Sequence, residues 1–339
     1  MMMSLGLGIC TSDRTAAKWW PEGAALAIDF TAGLAMRNGV RLSPADLLVC
    51  NRPTPGWTAD TQGNLNETPP DRIRLTNRGL LVEEARENLF LHSGSPATRS
   101  LVLAPGSYTL SVHSQGHAAL SGSATGTASP QMPLSFELTT SGTVTVTPHR
   151  PSPEHPMHVQ LEAGPFATSP IATGASPVTR AADAITFADP TWLTPQATTL
   201  LVEWEQVAPA ELAQNGVQNL LRWRAAGTIS RLRSGGRVMA QVQGTNQELI
   251  LNTGSPTSAP TGIHQLGTAL APNDMAVAWS QSVDGVGGLS TDTSGIAVTP
   301  VDAGWVGSSG QGEFLNGMLR KLTLWSSRLP DNAIQQLVQ

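Results

Sequence analysis

The sequence contains little charge and almost no lysine. Charged residues make up 13% of the 339 residues, and only two of the 20 basic residues are lysines, Lys18 and Lys321. With a net charge of −5, the chain offers no basic field for nucleic acid. The low charge also argues against a helical bundle or a coiled coil, because those folds need Glu, Lys, Leu and Arg at helical spacing.

Cysteine and long apolar runs are scarce as well. The two cysteines, Cys10 and Cys50, cannot form a disulfide framework, and whether they pair is left open. No run reaches the roughly 18 apolar residues of a membrane span. The N-terminal residues lack the basic flank of a signal peptide. We therefore expect a soluble, non-secreted protein without a membrane span and without a nucleic-acid partner.

Glycine, proline and tryptophan are plentiful. The 33 glycines and 25 prolines predict many turns, and a hydrophobic share of 40% with nine tryptophans excludes a disordered chain. Short runs of alternating residues lie between the turns, as in Thr143–Thr147. The expected fold class is all-β with several domains, which are β-sandwiches of the jelly-roll or concanavalin type.

The composition divides the chain into four segments. Residues 1–23 form an N-terminal arm with Trp19 and Trp20, residues 24–95 a first domain, residues 96–164 a small β-sandwich, and residues 165–339 a larger one. Within the first domain, Glu83–Leu91 is predicted as a short helix. A C-terminal helix is predicted to begin at Pro330 and Asp331. Its apolar stripe is expected to close an open end of the larger sandwich, and it consists of Ile334, Leu337 and Val338.

Adjacent carboxylates at Glu83 and Glu84 invite comparison with a glycosidase. Neighbouring side chains point to different faces, whereas two catalytic carboxylates flank one bond at about 5–10 Å. The interpretation favoured by the spacing is a junction in which Glu83 or Glu84 pairs with Arg86. No nucleophile elbow, Walker loop or dinucleotide fingerprint occurs in the sequence. We therefore expect no catalytic residue and no enzymatic activity.

Two weak metal sites are considered. His149, His155 and His158 lie in a proline-rich stretch, where solvated loop histidines are favoured over a metal site with Glu154 because the spacing fits no zinc pattern. A calcium site is a weaker alternative, since its carboxylates are not in a recognised ligand loop. Those carboxylates belong to Asp284, Asp292 and Asp302. The expectation is therefore no metal and no cofactor, with calcium as the alternative.

Tryptophans beside arginines are the best candidates for binding a sugar. Sugar-binding sites stack apolar sugar faces on aromatic rings next to hydrogen-bonding groups. Trp223, flanked by Arg222 and Arg224, and Trp305 fit this pattern. Packing in a sandwich core remains the alternative for each tryptophan.

Four blocks of the sequence resemble a module common in tailed-phage virion proteins. Residues 27–33 (AIDFTAG) are similar to its opening strand, and residues 79–89 (GLLVEEARENL) to its Glu-Glu-Ala-Arg-x-Asn-Leu block. Residues 159–171 and 178–183 are similar to the blocks that follow. In such proteins these blocks flank a carbohydrate-binding-module-like sandwich. Residues 315–331 resemble the last strands of a concanavalin/laminin-G-like sandwich.

The resemblance implies a non-enzymatic virion structural protein of the tail-fibre, head-fibre, spike or baseplate type. Residues 24–95 would dock on the particle, with Trp19 and Trp20 as attachment residues. Two sandwiches would project from the phage surface, as a homotrimer that contacts other virion proteins (capsid, portal, tail or baseplate) and host glycan. The alternatives are a capsular polysaccharide hydrolase or lyase, and a purely structural cement or adaptor protein of the head or tail.

Overall fold

The structure is a computed structural model. It describes residues 18–59, 64–190, 197–207, 217–224, 227–233, 237–242, 247–251, 262–272, 274–280, 288–292, 303–310 and 312–338. Almost every element is a β-strand paired antiparallel with its neighbours, in several sheets. The predicted multi-domain all-β fold is confirmed.

Residues 26–82 contribute eight strands and one short helix, before the strands of the smaller sandwich begin. They are β1 (Leu26–Asp29), β2 (Leu34–Arg37), β3 (Val40–Leu42), α1 (Pro44–Leu47), β4 (Leu48–Asn51), β5 (Gly56–Ala59), β6 (Leu65–Thr68), β7 (Arg74–Thr76) and β8 (Gly79–Val82).

Nine strands follow, and they form the smaller sandwich. They are β9 (Arg86–Asn88), β10 (Arg99–Leu103), β11 (Gly106–Ser114), β12 (His117–Gly122), β13 (Gly126–Ala128), β14 (Leu134–Leu138), β15 (Gly142–His149), β16 (Met157–Ala163) and β17 (Val178–Arg180).

The rest of the chain returns to the larger sandwich. Its elements are β18 (Ala184–Phe187), β19 (Thr198–Gln206), β20 (Val217–Arg224), β21 (Gly227–Arg233), β22 (Arg237–Val242), β23 (Gln247–Leu251), β24 (Gly262–Ala271), β25 (Asp274–Ser280), β26 (Gly288–Asp292), β27 (Ala303–Val306), β28 (Gly317–Trp325) and α2 (Asp331–Leu337).

The larger sandwich is built from both ends of the described chain. One sheet runs β26-β25-β24-β19-β28-β1-β2-β3, with β8 paired to β28 and β7 paired to β8. The other sheet runs β23-β22-β21-β20-β27-β18-β4. Alternation turns Leu322 and Leu324 of β28 toward the core between the sheets, beside the fully buried Trp204. Thr323 and Trp325 are buried on the opposite face. Strand β28 is therefore covered on both faces.

The smaller sandwich is inserted into the larger one between β8 and β18. Its sheets run β10-β15-β12-β13 and β14-β11-β16-β9-β17. Its core lies entirely between Phe90 and Leu161, whereas the larger core draws residues from before and after this stretch. The insertion is therefore a unit with its own hydrophobic core.

This topology differs from the predicted segmentation. Residues 24–95 form no domain of their own, because β1 and β8 both pair with β28, more than 200 residues later. Within this stretch, the β5–β6 hairpin is a separate two-stranded sheet. Residues 165–339 likewise do not hold a complete sandwich, since β17 pairs with β9 of the insertion. Segmentation by local sequence pattern does not detect such pairing, because the partner strands are distant in the chain.

The predicted helix at Glu83–Leu91 is wrong. Arg86–Asn88 form the strand β9, which pairs with β16 and β17. Oδ1 of the buried Asn88 accepts hydrogen bonds from the backbone N–H groups of Phe90 and Leu161. Its Nδ2 donates a hydrogen bond to the carbonyl of Ile171. These bonds and the strand pairing override the local helical pattern.

The C-terminal helix α2 forms where it was predicted but covers a different surface. It lies on the outer face of β24 and β25, where Ile334 and Val338 are buried against three alanines. Gly267 lies directly beneath it, since a Cβ there would stand 2.6 Å from Cγ2 of Ile334. The helix therefore packs on small residues of a sheet face, not on an open end of the sandwich. No helix among the described residues is long and apolar enough to cross a membrane.

Candidate functional site

A row of side chains crosses the outer face of the smaller of the two sheets in the larger sandwich. Ile185 and Val306 are fully buried in the core, so their neighbours Thr186 and Trp305 lie on the opposite face. In register, Trp305 stands between Arg222 and Thr186, and Thr186 stands opposite Val49 of the edge strand β4. The fold thus aligns Arg222, Trp305, Thr186 and Val49 across four neighbouring strands.

The indole of Trp305 is fixed but not fully covered. The guanidinium carbon of Arg222 lies 5.8 Å from the ring centre, within cation–π range. Arg222 also donates from Nη1 to the carbonyl of Ser309 at 2.8 Å. Gly310 (φ +79°) packs against the indole so closely that any side chain there would displace the ring. The result is a half-buried aromatic surface beside an anchored arginine.

Of the four predicted sugar-binding residues, the structure brings Arg222 and Trp305 together. Trp223 and Arg224 stand opposite Gly304 and Ala303 in the strand register, but their side chains lie outside the described residues. The alternative calcium site also lies largely outside the described residues. Asp284 and Asp302 lie outside the described residues, and only the backbone of Asp292 is described.

The end of the N-terminal arm packs on its own sandwich. Trp19 and Trp20 meet edge to face with ring centres 5.8 Å apart, and Arg41 of β3 lies 5.6 Å from the centre of the Trp20 ring. The carbonyl of Glu22 accepts a hydrogen bond from Nε1 of Trp325 at 2.9 Å. Both tryptophans remain half-buried. Their predicted role in attachment stays a prediction.

Five charged side chains are buried together where the two sandwiches meet. Arg52, Arg74 and Arg180 surround Glu83 and Asp183, and none of them is more than 5% exposed. The larger sandwich supplies Arg52, Arg74, Glu83 and Asp183, whereas Arg180 belongs to β17 of the insertion. The cluster therefore joins the two units by charge-assisted hydrogen bonds.

The carboxylates of Glu83 and Asp183 each form ion pairs with at least two of the arginines. Glu83 Oε2 lies 2.8 Å from Arg74 Nη2 and 3.3 Å from Arg180 Nη2. Asp183 accepts from Arg52 Nη1 at 2.7 Å and also bonds Nη2 of Arg74. Burial alone would raise the pKa of Glu83, but Arg180 and Arg74 outweigh it and lower that pKa to about 2. Glu83 therefore stays ionised at neutral pH and is not available as a general acid.

Sequence reasoning found only part of this junction. The predicted ion pair forms, with Glu84 Oε1 and Arg86 Nη2 2.5 Å apart. The roles of Arg52, Arg74 and Asp183 were missed, because these residues lie in separate stretches of the chain. The one available signal was the family-like block at 178–183, which contains Arg180 and Asp183.

A groove of about 320 Å³ opens beside the charge cluster, between the two sandwiches. The insertion contributes His113, Pro130 and the segment 166–170, and the larger sandwich contributes the turn 76–78 and Met318. Behind this wall lies a polar layer, in which three residues of β11 face three of β16. The pairs are Thr109 with Glu162, Ser111 with Gln160, and His113 with His158.

The segment 166–171 covers this polar layer by hydrogen bonding to Glu162 and Gln160. Its carboxylate accepts from the backbone N–H of Thr168 at 3.0 Å and from the Thr168 hydroxyl at 2.5 Å. Burial raises the pKa of Glu162 in spite of these bonds. Gln160 donates to the carbonyl of Ser169 at 3.2 Å and accepts from the N–H of Ile171 at 2.7 Å. The segment 166–171 is thus bonded onto the sheet and separates Glu162 from the groove.

Comparison with known proteins yields structural likeness only. No family model and no curated protein matches the chain. Similar solved structures include NanB with optactamide (TM-score 0.31, 13% identity) and the CBM2 module of the evolved Dit protein of Lactobacillus casei BL23 phage J-1 (TM-score 0.28, 12% identity).

Both likenesses are partial. The NanB match covers 42% of this chain and 24% of NanB, and a NanB sialidase from Streptococcus pneumoniae with another ligand gives a TM-score of 0.30 at 12% identity. The match to the phage module covers 48% of this chain and 74% of the module. This chain therefore spans about a quarter of NanB. TM-scores this low carry no argument about function.

Proposed function

We propose that this chain is a non-enzymatic structural protein of a tailed-phage particle, and that it presents a sugar-binding face to the outside. The observation that carries the sugar-binding part is the row of Arg222, Trp305, Thr186 and Val49 on the outer face of one sheet. The particle assignment is supported by the resemblance of residues 27–33 and 79–89 to phage virion proteins.

The chemistry of this row suits a sugar ring. The uncovered part of a half-buried indole offers a flat apolar surface for the C–H face of a pyranose. A hydroxyl and a guanidinium next to it supply hydrogen bonds to sugar hydroxyls. Arg222 is already held by Ser309, and Trp305 by Gly310, so little side-chain freedom would be lost on binding. The two saturated carboxylates of the junction support the non-enzymatic part of the proposal.

A single shallow site of this kind binds weakly, so many copies are needed for useful adhesion. A particle that carries the chain repeatedly raises the effective concentration of sites near a surface. A symmetric assembly supplies such copies, and we propose a homotrimer whose partners are the other virion proteins. Sedimentation of the purified chain measures this stoichiometry.

Trp305→Ala is expected to weaken binding to surface-immobilised capsular or cell-wall polysaccharide at least tenfold. The variant removes the stacking surface, and the rest of the sheet keeps its pairing. The measurement is biosensor binding of the chain displayed in many copies on beads. Arg222→Lys should reduce binding less, because it keeps the charge and loses only the planar fork.

Trp57→Ala is the matched control, since this half-buried tryptophan lies on the separate β5–β6 hairpin. It should bind like the parent chain. Equal binding by parent and Trp305→Ala would contradict the proposed site. Release of reducing ends from the polysaccharide by the parent chain would contradict the non-enzymatic assignment.

A further inference from the structure

Two histidines face each other across neighbouring strands of the inserted sandwich. His113 of β11 and His158 of β16 are directly opposite in register. Their ring centres are 5.7 Å apart, and the ring planes are tilted by 57°. His158 was expected in a solvated loop, but it is only 2% exposed. This pair lies on the side of the sheet that faces the larger sandwich.

The imidazole of His158 lacks ordinary hydrogen bonds. Neither of its ring nitrogens has a partner at normal hydrogen-bond geometry, although the Gln160 side chain and the Ile171 backbone are close by. Buried polar groups in native proteins nearly always have a partner, and an exception calls for a bound water or ion. The ring nitrogens of His158 are therefore candidates for holding a bound water or ion.

The separation and the access also fit a metal ion. A zinc ion bound by two imidazole nitrogens at about 2.1 Å places the ring centres roughly 5–6 Å apart. The hydroxyl of Ser111 lies 3.4 Å from Nε2 of His113, which leaves Nδ1 for the ion. His113 also lines the groove of about 320 Å³, so an ion has a path from solvent.

We propose that His113 and His158 bind one divalent transition-metal ion, such as Zn²⁺, Ni²⁺ or Cu²⁺, at the junction of the two sandwiches. Imidazole nitrogens prefer these ions over Ca²⁺ or Mg²⁺, which take oxygen ligands. The described residues offer no cluster of three or more His, Cys, Asp or Glu ligands here, so water from the groove completes the coordination. The inference is independent of sugar binding, which is proposed for a sheet of the larger sandwich.

The test is calorimetric titration of the full, tag-free chain with ZnCl₂. One saturable site is expected, and His113→Ala should weaken it at least tenfold. Zn²⁺ should also raise the melting temperature of the parent chain, whereas CaCl₂ should not. His113→Gln, which keeps a polar group at the groove, serves if the alanine variant does not fold.

The matched control is the double variant His117→Ala/His149→Ala. These exposed histidines also face each other across strands, but their rings stack in parallel at 4.6 Å with an interplanar angle of 14°. The control should bind Zn²⁺ like the parent. Loss of the site in the control, unchanged binding in the His113 variants, or absence of saturable binding by the parent would each overturn the proposal.

Discussion

Glu83→Gln is expected to lower the free energy of unfolding by about 3–5 kcal/mol, the usual cost of removing one partner from a buried ion cluster. Glutamine keeps the shape of the side chain but leaves Arg74 and Arg180 with Asp183 as their remaining carboxylate partner in the cluster. Ser169 also loses an anionic acceptor for its backbone N–H, now 2.7 Å from Oε1 of Glu83. Urea unfolding of the purified variant measures the loss.

Glu84→Gln is the control for this prediction. Glu84 is the adjacent carboxylate, and its ion pair with Arg86 is partly exposed, so the variant should lose about 1 kcal/mol or less. Equal losses at the two positions would show that the buried cluster has no special role in stability.

The same cluster predicts how the parent chain responds to acid. The pKa of Glu83 is lowered from 4.5 to about 2, so its contribution is present above pH 4.5 and is lost as the pH falls toward 2. That contribution is about 3 kcal/mol, at about 1.4 kcal/mol for each pH unit. The Glu83→Gln variant should lack this part of the acid sensitivity.

Ile334→Ala should lower the free energy of unfolding by about 2–5 kcal/mol, the range for truncating a buried aliphatic side chain to alanine. Ile334 is fully buried beneath α2, against Gly267 and the alanines of β24 and β25. Those small residues cannot fill the space that the side chain leaves. Thermal unfolding followed by circular dichroism checks the loss.

Gln336→Ala serves as the control on the same helix. Gln336 is exposed, and its replacement should change stability by no more than about 0.5 kcal/mol. Removal of Asp331–Gln339 should have a larger effect than Ile334→Ala, because it also breaks the bonds from Arg328 to Asp331 and uncovers the sheet face. An unchanged melting curve after that truncation would contradict the role given to the helix.

Local alternation in the sequence predicted the β-strand character of the inserted sandwich. The alternating run Thr143–Thr147 lies within β15. The i, i+4 pair Ile334 and Val338 predicted α2 and its buried face. These elements were accessible because side-chain periodicity alone decides which residues face a core.

The nesting of one sandwich inside the other was not accessible in this way. It depends on the pairing of β1 and β8 with β28. A four-residue strand carries no sequence pattern that identifies a pairing partner more than 200 residues away. The burial of Arg52 and Arg74 has the same cause. An arginine in a turn-rich stretch normally lies in solvent. Only the assembled junction supplies the carboxylates that offset the desolvation cost of burying its charge.

The candidate sugar-binding face was predicted in part. Trp305 and Arg222 were chosen for their chemistry, and the strand register now makes them neighbours. Thr186 and Val49 were not chosen, because neither residue type marks a binding site by itself. Their place in the row follows from the pairing of β18 with β27 and β4.

Gold-labelled antibody against this chain, applied to intact phage particles in the electron microscope, tests the proposed function most directly. We expect label on the particle surface, at the sites where the two nested sandwiches project. Complete, infectious particles that carry no label, and no peptide of this chain by mass spectrometry, would contradict the assignment to the virion.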